Sequence, residues 1–239
     1  HNKTKILSLP ESKIADNGGF YESGLWYTVG GPMDNYMTYS YAGVGENGEP
    51  LYWYDEDLST AGNAETNIIN KPGTKKSGKT SDIDEASRYA KGSTLPKLFG
   101  GFSTTLKVGD FDFSATFDYQ LGGKLYDSRY AVLMEPSSST SNAGTTFHKD
   151  WVKAWSATNT TSDIPRWQFA DQRYGNDYYL TNASYLNFQS FALGYNIPVR
   201  KIESIGKLIR GVRVYAMGEN LIFWSKRKGL DPRQSFTSN

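Results

Sequence analysis

Three tryptophans in one polar stretch, Trp151, Trp155 and Trp167, are the side chains best suited to holding a ligand. His148, Lys149 and Asp150 stand just ahead of them. An indole presents a flat apolar face with a polar edge, which matches a sugar ring or a peptide side chain. The same rings also pack loops and sit at membrane interfaces, and those roles stay open for all three.

Bond-making chemistry has little to work with. The 239 residues contain no cysteine, which excludes thiol catalysis and a Cys-ligated zinc site. His1 and His148 are the two histidines, too few for a multi-histidine metal centre. Asp55-Glu56-Asp57 and the group Asp82, Asp84, Glu85 offer oxygen ligands. They lack the calcium-loop pattern and its central glycine, so they read as solvated loop charges. No Ser-His-Asp order and no nucleotide-binding loop is expected. Lys and Arg total 26 against 25 Asp and Glu, a net charge of +1, which gives no field for nucleic acid. The residues themselves lead to the expectation of no cofactor and no metal, and they leave a paired-carboxylate hydrolase open.

The elements that must position these side chains are strands. Phe111, Phe113, Ala115, Phe117, Tyr119 and Leu121 alternate with Asp112, Ser114, Thr116, Asp118 and Gln120, the period of a half-buried strand. Residues 102–108 alternate in the same way, and Gly109-Asp110 between the two runs predicts a tight hairpin. A second pair is predicted over 185–197 and 212–224. In the first of these the alternation changes phase near Gln189-Ser190, which predicts a β-bulge. Ile202, Ile205, Leu208 and Ile209 between them suggest one short amphipathic helical turn. Eleven alternating residues suffice for one tilted membrane crossing, and no run is long enough for an apolar helix.

The intervening stretches 10–96 and 122–182 are long, polar and irregular in pattern. Within the first, residues 37–41 and 51–54 flank a turn at 46–49 and predict a hairpin, while 62–79 reads as mobile. Connections of that length argue against a compact soluble domain. Short turns alternating with long loops fit a membrane barrel instead. Tyr119, Tyr126, Tyr130, Tyr185 and Tyr195 would then form an interfacial girdle, and Lys107, Asp112, Asp118, Arg213 and Glu219 would face the lumen.

Gly92-Ser93-Thr94-Leu95-Pro96-Lys97-Leu98-Phe99-Gly100-Gly101-Phe102, then Phe111-Asp112-Phe113-Ser114 and Gln120-Leu121-Gly122-Gly123-Lys124-Leu125-Tyr126-Asp127, resemble successive segments of SusC/RagA-type TonB-linked outer-membrane proteins. Asn2-Lys3-Thr4-Lys5-Ile6, Asp163-Ile164-Pro165-Arg166, Tyr185-Leu186, Leu193-Gly194-Tyr195-Asn196-Ile197-Pro198, Val212-Arg213-Val214-Tyr215, Glu219-Asn220-Leu221 and Gly229-Leu230-Asp231-Pro232 keep the family's order.

The resemblance implies an all-β fold: an antiparallel up-and-down transmembrane β-barrel segment with long extracellular loops, part of a 22-stranded barrel with an internal plug. Residues 1–239 would be the C-terminal portion of that barrel domain, with the plug and the final strand absent and about five crossings present. An opening without Met or an apolar leader suggests a processed chain or a piece of a longer one. The resemblance also implies a Gram-negative outer-membrane location, energy through TonB by way of the plug, and a SusD-like surface lipoprotein as partner. The implied cargo is an oligosaccharide, or a peptide in some members. Two rivals remain: a soluble secreted β-domain binding carbohydrate, and a glycoside hydrolase with a convergent acid pair.

Overall fold

A computed structural model describes residues 1–14, 18–59, 72–135, 146–168, 175–198, 209, 211–226 and 230–233. Thirteen strands are present among them: β1 (Gly19–Glu22), β2 (Leu25–Thr28), β3 (Asn35–Tyr39), β4 (Tyr41–Val44), β5 (Pro50–Tyr54), β6 (Gly78–Thr80), β7 (Arg88–Ser93), β8 (Leu98–Val108), β9 (Phe111–Leu121), β10 (Lys124–Tyr126), β11 (Leu180–Asn182), β12 (Tyr185–Ile197) and β13 (Val212–Ser225). The chain divides into two compact units. One comprises residues 1–2, 96–123 and 182–239; the other comprises 3–95 and 124–181.

The first unit is a single antiparallel sheet in the order β8-β9-β12-β13. Both predicted strand pairs are present, and β9 lies beside β12, which joins them. The hairpin closes with Val108 opposite Phe111, and Gly109 takes φ +60° at the first central position of its two-residue turn. β8 starts four residues earlier than its alternation, because Leu98 to Gly101 continue the ladder opposite Leu121 to Asp118.

The predicted bulge is real. Phe188 pairs with Phe117 and Ser190 with Thr116, so Gln189 is an extra residue against β9. A second one accumulates in β13, where Ser190 pairs with Glu219 but Phe188 with Ile222. Asn220 absorbs that insertion at φ +52°. The bulges keep the faces in phase. Phe188 and Phe191, odd and even neighbours by count, lie 6.4 Å apart on one face.

The second unit overturns the expectation that 122–182, and 10–96 apart from one hairpin, lack regular structure. It holds a four-stranded sheet, β1-β2-β3-β7, a three-stranded sheet, β4-β5-β6, and the pair β10-β11. Its strands are short and rich in tyrosine, so their period-2 signal spans too few residues to stand out. Residues 37–41 do not form one strand. β3 pairs with β7 while β4 pairs with β5, and the chain changes sheets at Ser40. A helix over Ser128–Met134 is capped by the Asp127 carboxylate, which accepts from the Tyr130 N–H. Tyr130, Ala131, Met134, Ile164 and Tyr179 form a buried cluster against which Tyr126 and Trp151 pack.

Other expectations change with this. Tyr130 lies in that cluster because the helix turns it inward, and Tyr126, at the end of β10, packs against it, so neither stands in an interfacial girdle. Residues 2–6 make no strand: Asn2 bonds to Lys97, and Ile6 meets Gly30 and Gly31, but no ladder forms. Four long strands, not five, are therefore present among the described residues. The helical turn suggested near Ile202 and most of the stretch read as mobile lie outside the described residues.

Candidate functional site

The four long strands sort their side chains by register. Phe102, Phe117 and Phe188 stand side by side on β8, β9 and β12, with ring centroids 4.8 and 4.6 Å apart. Leu106, Phe113, Leu193 and Ala216 make a second row on the same face, and Val108, Phe111, Tyr195 and Val214 a third. This face is open: Leu106 is 58% exposed, Phe111 53% and Val214 58%. A contiguous apolar surface of this kind is a liability in water and ordinary in a bilayer.

Lys107, Asp112, Asp118, Arg213 and Glu219, expected to face one side together, do share the opposite face, along with Asn187. Asp118 accepts from the Asn187 amide at 2.8 Å. Arg213 on β13 reaches Asp112 on β9 at 2.5 Å, over the intervening strand. Gly194 is the residue beneath; a Cβ there would lie 2.6 Å from the guanidinium and 2.7 Å from the carboxylate.

In the second unit, Asp55 and Asp177 are organising anions. Asp55 is 2% exposed and accepts from the N–H groups of Thr74 and Lys75, each at 2.9 Å, and of Asp57 at 3.2 Å. Burial, the largest influence, disfavours its charge, but the N–H bonds from Lys75, Thr74 and Asp57 together outweigh it and hold its pKa below the ordinary value. Asp177 accepts from the Tyr41 N–H at 2.6 Å and pairs with Lys91 at 2.8 Å. Burial and then the charge of Asp55 push the Tyr89 phenol up to about 12.

The three tryptophans part company. Trp151 lies on the short 3-10 helix Lys149–Lys153, packs against the Tyr130 cluster and donates its indole N–H to the Leu133 carbonyl at 3.2 Å. Trp167 is 52% exposed. Phe147, which sequence reasoning passes over, contacts both edge-on at 6.4 Å. Only the fold brings Phe147 to these rings, so no spacing signal could have found it. Trp155 instead covers the turn between β4 and β5, against Gly48. A crevice lined by Tyr41, Tyr52, Tyr178, Pro50 and Pro165 has about 10 Å³ of free volume, enough for one water and too little for cargo.

The expectation of no nucleotide-binding loop needs a correction at the level of letters. Residues 43–48 read GVGENG, a G-x-G-x-x-G spacing, and residues 73–80 read GTKKSGKT, a G-x-x-x-x-G-K-T spacing. Neither has the strand–loop–helix setting that phosphate binding requires. The first is a hairpin turn between β4 and β5. The second runs into β6, its Thr74 and Lys75 amides already hold Asp55, and Lys79 donates to the Ala42 carbonyl.

No protein-family model matches the chain. It is 29% identical over 158 residues to TonB-dependent receptor P3 of Formosa agariphila, and 33% identical over 147 residues to receptor P26 of the same organism. It is 26% identical over 151 residues to TonB-dependent receptor SusC of Bacteroides thetaiotaomicron. These matches take in 66%, 60% and 63% of this chain but 15%, 14% and 14% of those proteins. The chain thus spans about 15% of the length of its curated relatives. Among solved structures, a chain of the RagAB peptide transporter superposes with a TM-score of 0.65 at 25% identity, over 90% of this chain and 22% of that one. The "open-open" state of the RagAB peptide importer gives 0.64 at 25% identity, over 88% and 21%.

Proposed function

We propose, from the premise that this chain is a stretch of a SusC/RagA-type TonB-dependent receptor, that it supplies wall strands and solvent-exposed loops of an outer-membrane importer. In this reading the Phe117 face meets lipid and the Asp112 face meets the lumen. Residues 1–239 belong to the C-terminal portion of the barrel domain, and the second unit supplies loops that meet cargo. TonB would drive the importer through a plug, and a SusD-like lipoprotein would close over the loops. The cargo is an oligosaccharide or a peptide. Of the three tryptophans, Trp167 with Phe147 is the exposed pair available for contact, backed by Trp151. The steps are binding and passage without covalent chemistry.

One observation carries the reading: four long antiparallel strands gather rows of exposed apolar side chains on one face and set their charged side chains Lys107, Asp112, Asp118, Arg213 and Glu219 on the other. Such a sheet buries no core of its own, and lipid is the solvent that removes the need for one. A soluble carbohydrate-binding domain would have covered that face.

An antibody raised to residues 1–239 tests this on fractionated source cells. A band far larger than 26.7 kDa in the outer-membrane fraction, co-purifying with a lipoprotein, is the expected result. A soluble or secreted band at 26.7 kDa would overturn it.

A further inference from the structure

The turn between β4 and β5 is the tip of a hairpin, yet Gly48 in it is buried. What covers it comes from far along the chain. A Cβ on Gly48 would collide with the Trp155 ring and lie 3.0 Å from the Arg166 side chain, and Gly48 itself sits at φ +84°. The position is closed to other residues by space and by backbone conformation together.

Main-chain bonds reinforce the contact. The Arg166 N–H donates to the Gly48 carbonyl at 2.8 Å, and the Arg166 guanidinium donates to the Asn47 carbonyl at 2.7 Å. The Trp155 N–H donates to the Ile164 carbonyl at 2.8 Å, and the Tyr41 hydroxyl donates to the Asp163 carbonyl at 2.8 Å. Ser162 accepts from the Ile164 N–H and donates to the Lys153 carbonyl. Ile164, 5% exposed, roots this segment in the Tyr130 cluster. Five consecutive residues, Ser162 to Arg166, thus hold three things at once: the 45–49 turn, the Trp155 main chain and the buried cluster.

We infer that residues 162–166 are a clasp joining the 45–49 hairpin and the 153–161 segment into one body, and that Trp155 is a positioning residue rather than a ligand contact. The reason is geometric. Carbonyl acceptors on a turn impose no side-chain identity, so a guanidinium that reaches Asn47 and a main-chain N–H that reaches Gly48 fix the turn's place whatever residues it carries. Trp155 then fills the volume that the missing Gly48 side chain leaves. A loop surface built this way moves as a unit, and a cargo contact on either segment is set by both.

Hydrogen exchange on the full-length protein tests the coupling without reference to cargo. Arg166→Ala is expected to speed amide exchange at least tenfold in both 45–52 and 153–166, with β9 and β12 unchanged. Trp155→Ala should do the same and Trp155→Phe should restore protection in large part. Exchange that rises on only one of the two segments, or on neither, overturns the clasp. If Arg166→Ala does not reach the membrane, Arg166→Gln and Gly48→Ala provide the same comparison.

Uptake by cells supplies the second readout. As a positioning pair, Trp155→Ala and Arg166→Ala should give losses that do not add in the double variant. Additive losses, with Trp155→Phe as poor as Trp155→Ala, would make Trp155 a cargo contact. Because exchange is read without transport, the clasp and the importer reading fail separately.

Discussion

Arg213 reaches Asp112 at 2.5 Å across a strand to which neither residue belongs, and the residue it passes over is Gly194. Two strand spacings are about 10 Å, a span that arginine covers only if nothing rises from the strand between. The "L-G-Y-N" glycine is therefore a matter of clearance on the polar face. Gly194→Ala should displace the ion pair and cost about 1 kcal/mol or less, since Arg213 is half exposed and solvent screens the pair. Unfolding at low and high salt checks this: the salt dependence should shrink by the same amount in Gly194→Ala and in Asp112→Asn.

The two faces of β9 should respond oppositely to charge. Phe117→Arg puts a guanidinium in the middle of the stacked phenylalanine row and should cost about 2–4 kcal/mol in a bilayer. Ser114→Arg, on the polar face, should be tolerated. The yield of folded protein in the outer membrane, read by heat-modifiable gel mobility, distinguishes them. Equal tolerance at both positions would remove the lipid assignment.

Asp55 predicts an acid sensitivity of the second unit. Its pKa is lowered in the folded state, so its contribution to stability is full above the ordinary carboxylate pKa and is lost as pH falls through the lower folded value. Asp55→Asn should flatten that part of the pH profile. Asp55→Ala leaves the Thr74, Lys75 and Asp57 amides without this acceptor and should cost about 3 kcal/mol. Denaturation between pH 7 and pH 3, followed by exchange in residues 72–77, reads both.

Trp151 and Trp167 should separate into a support and a contact. Trp151→Ala removes a ring packed on the buried cluster and should lower loop stability by about 3 kcal/mol or more. Trp167→Ala should leave stability within about 0.5 kcal/mol, as surface changes do. Under the importer reading it should weaken cargo capture. Thermal unfolding and an uptake assay, run on both variants, give the two-way comparison.

What the sequence by itself determined is the four-stranded sheet. Alternation over 111–121, the Gly109-Asp110 turn and the phase change at Gln189-Ser190 are local signals, since strand period and turn chemistry depend on neighbours in the chain. The motif order from Asn2 to Pro232 carried the family likeness for the same reason. Only the tertiary structure decided the rest. It split 37–41 between two sheets at Ser40, turned Tyr126 and Tyr130 into a core, and placed Phe147 between Trp151 and Trp167. It also showed that the glycine spacings at 43–48 and 73–80 belong to a hairpin turn and a strand entry. Those outcomes rest on contacts between segments as far apart as Asn47 and Arg166, and nothing in local spacing records which distant group will arrive.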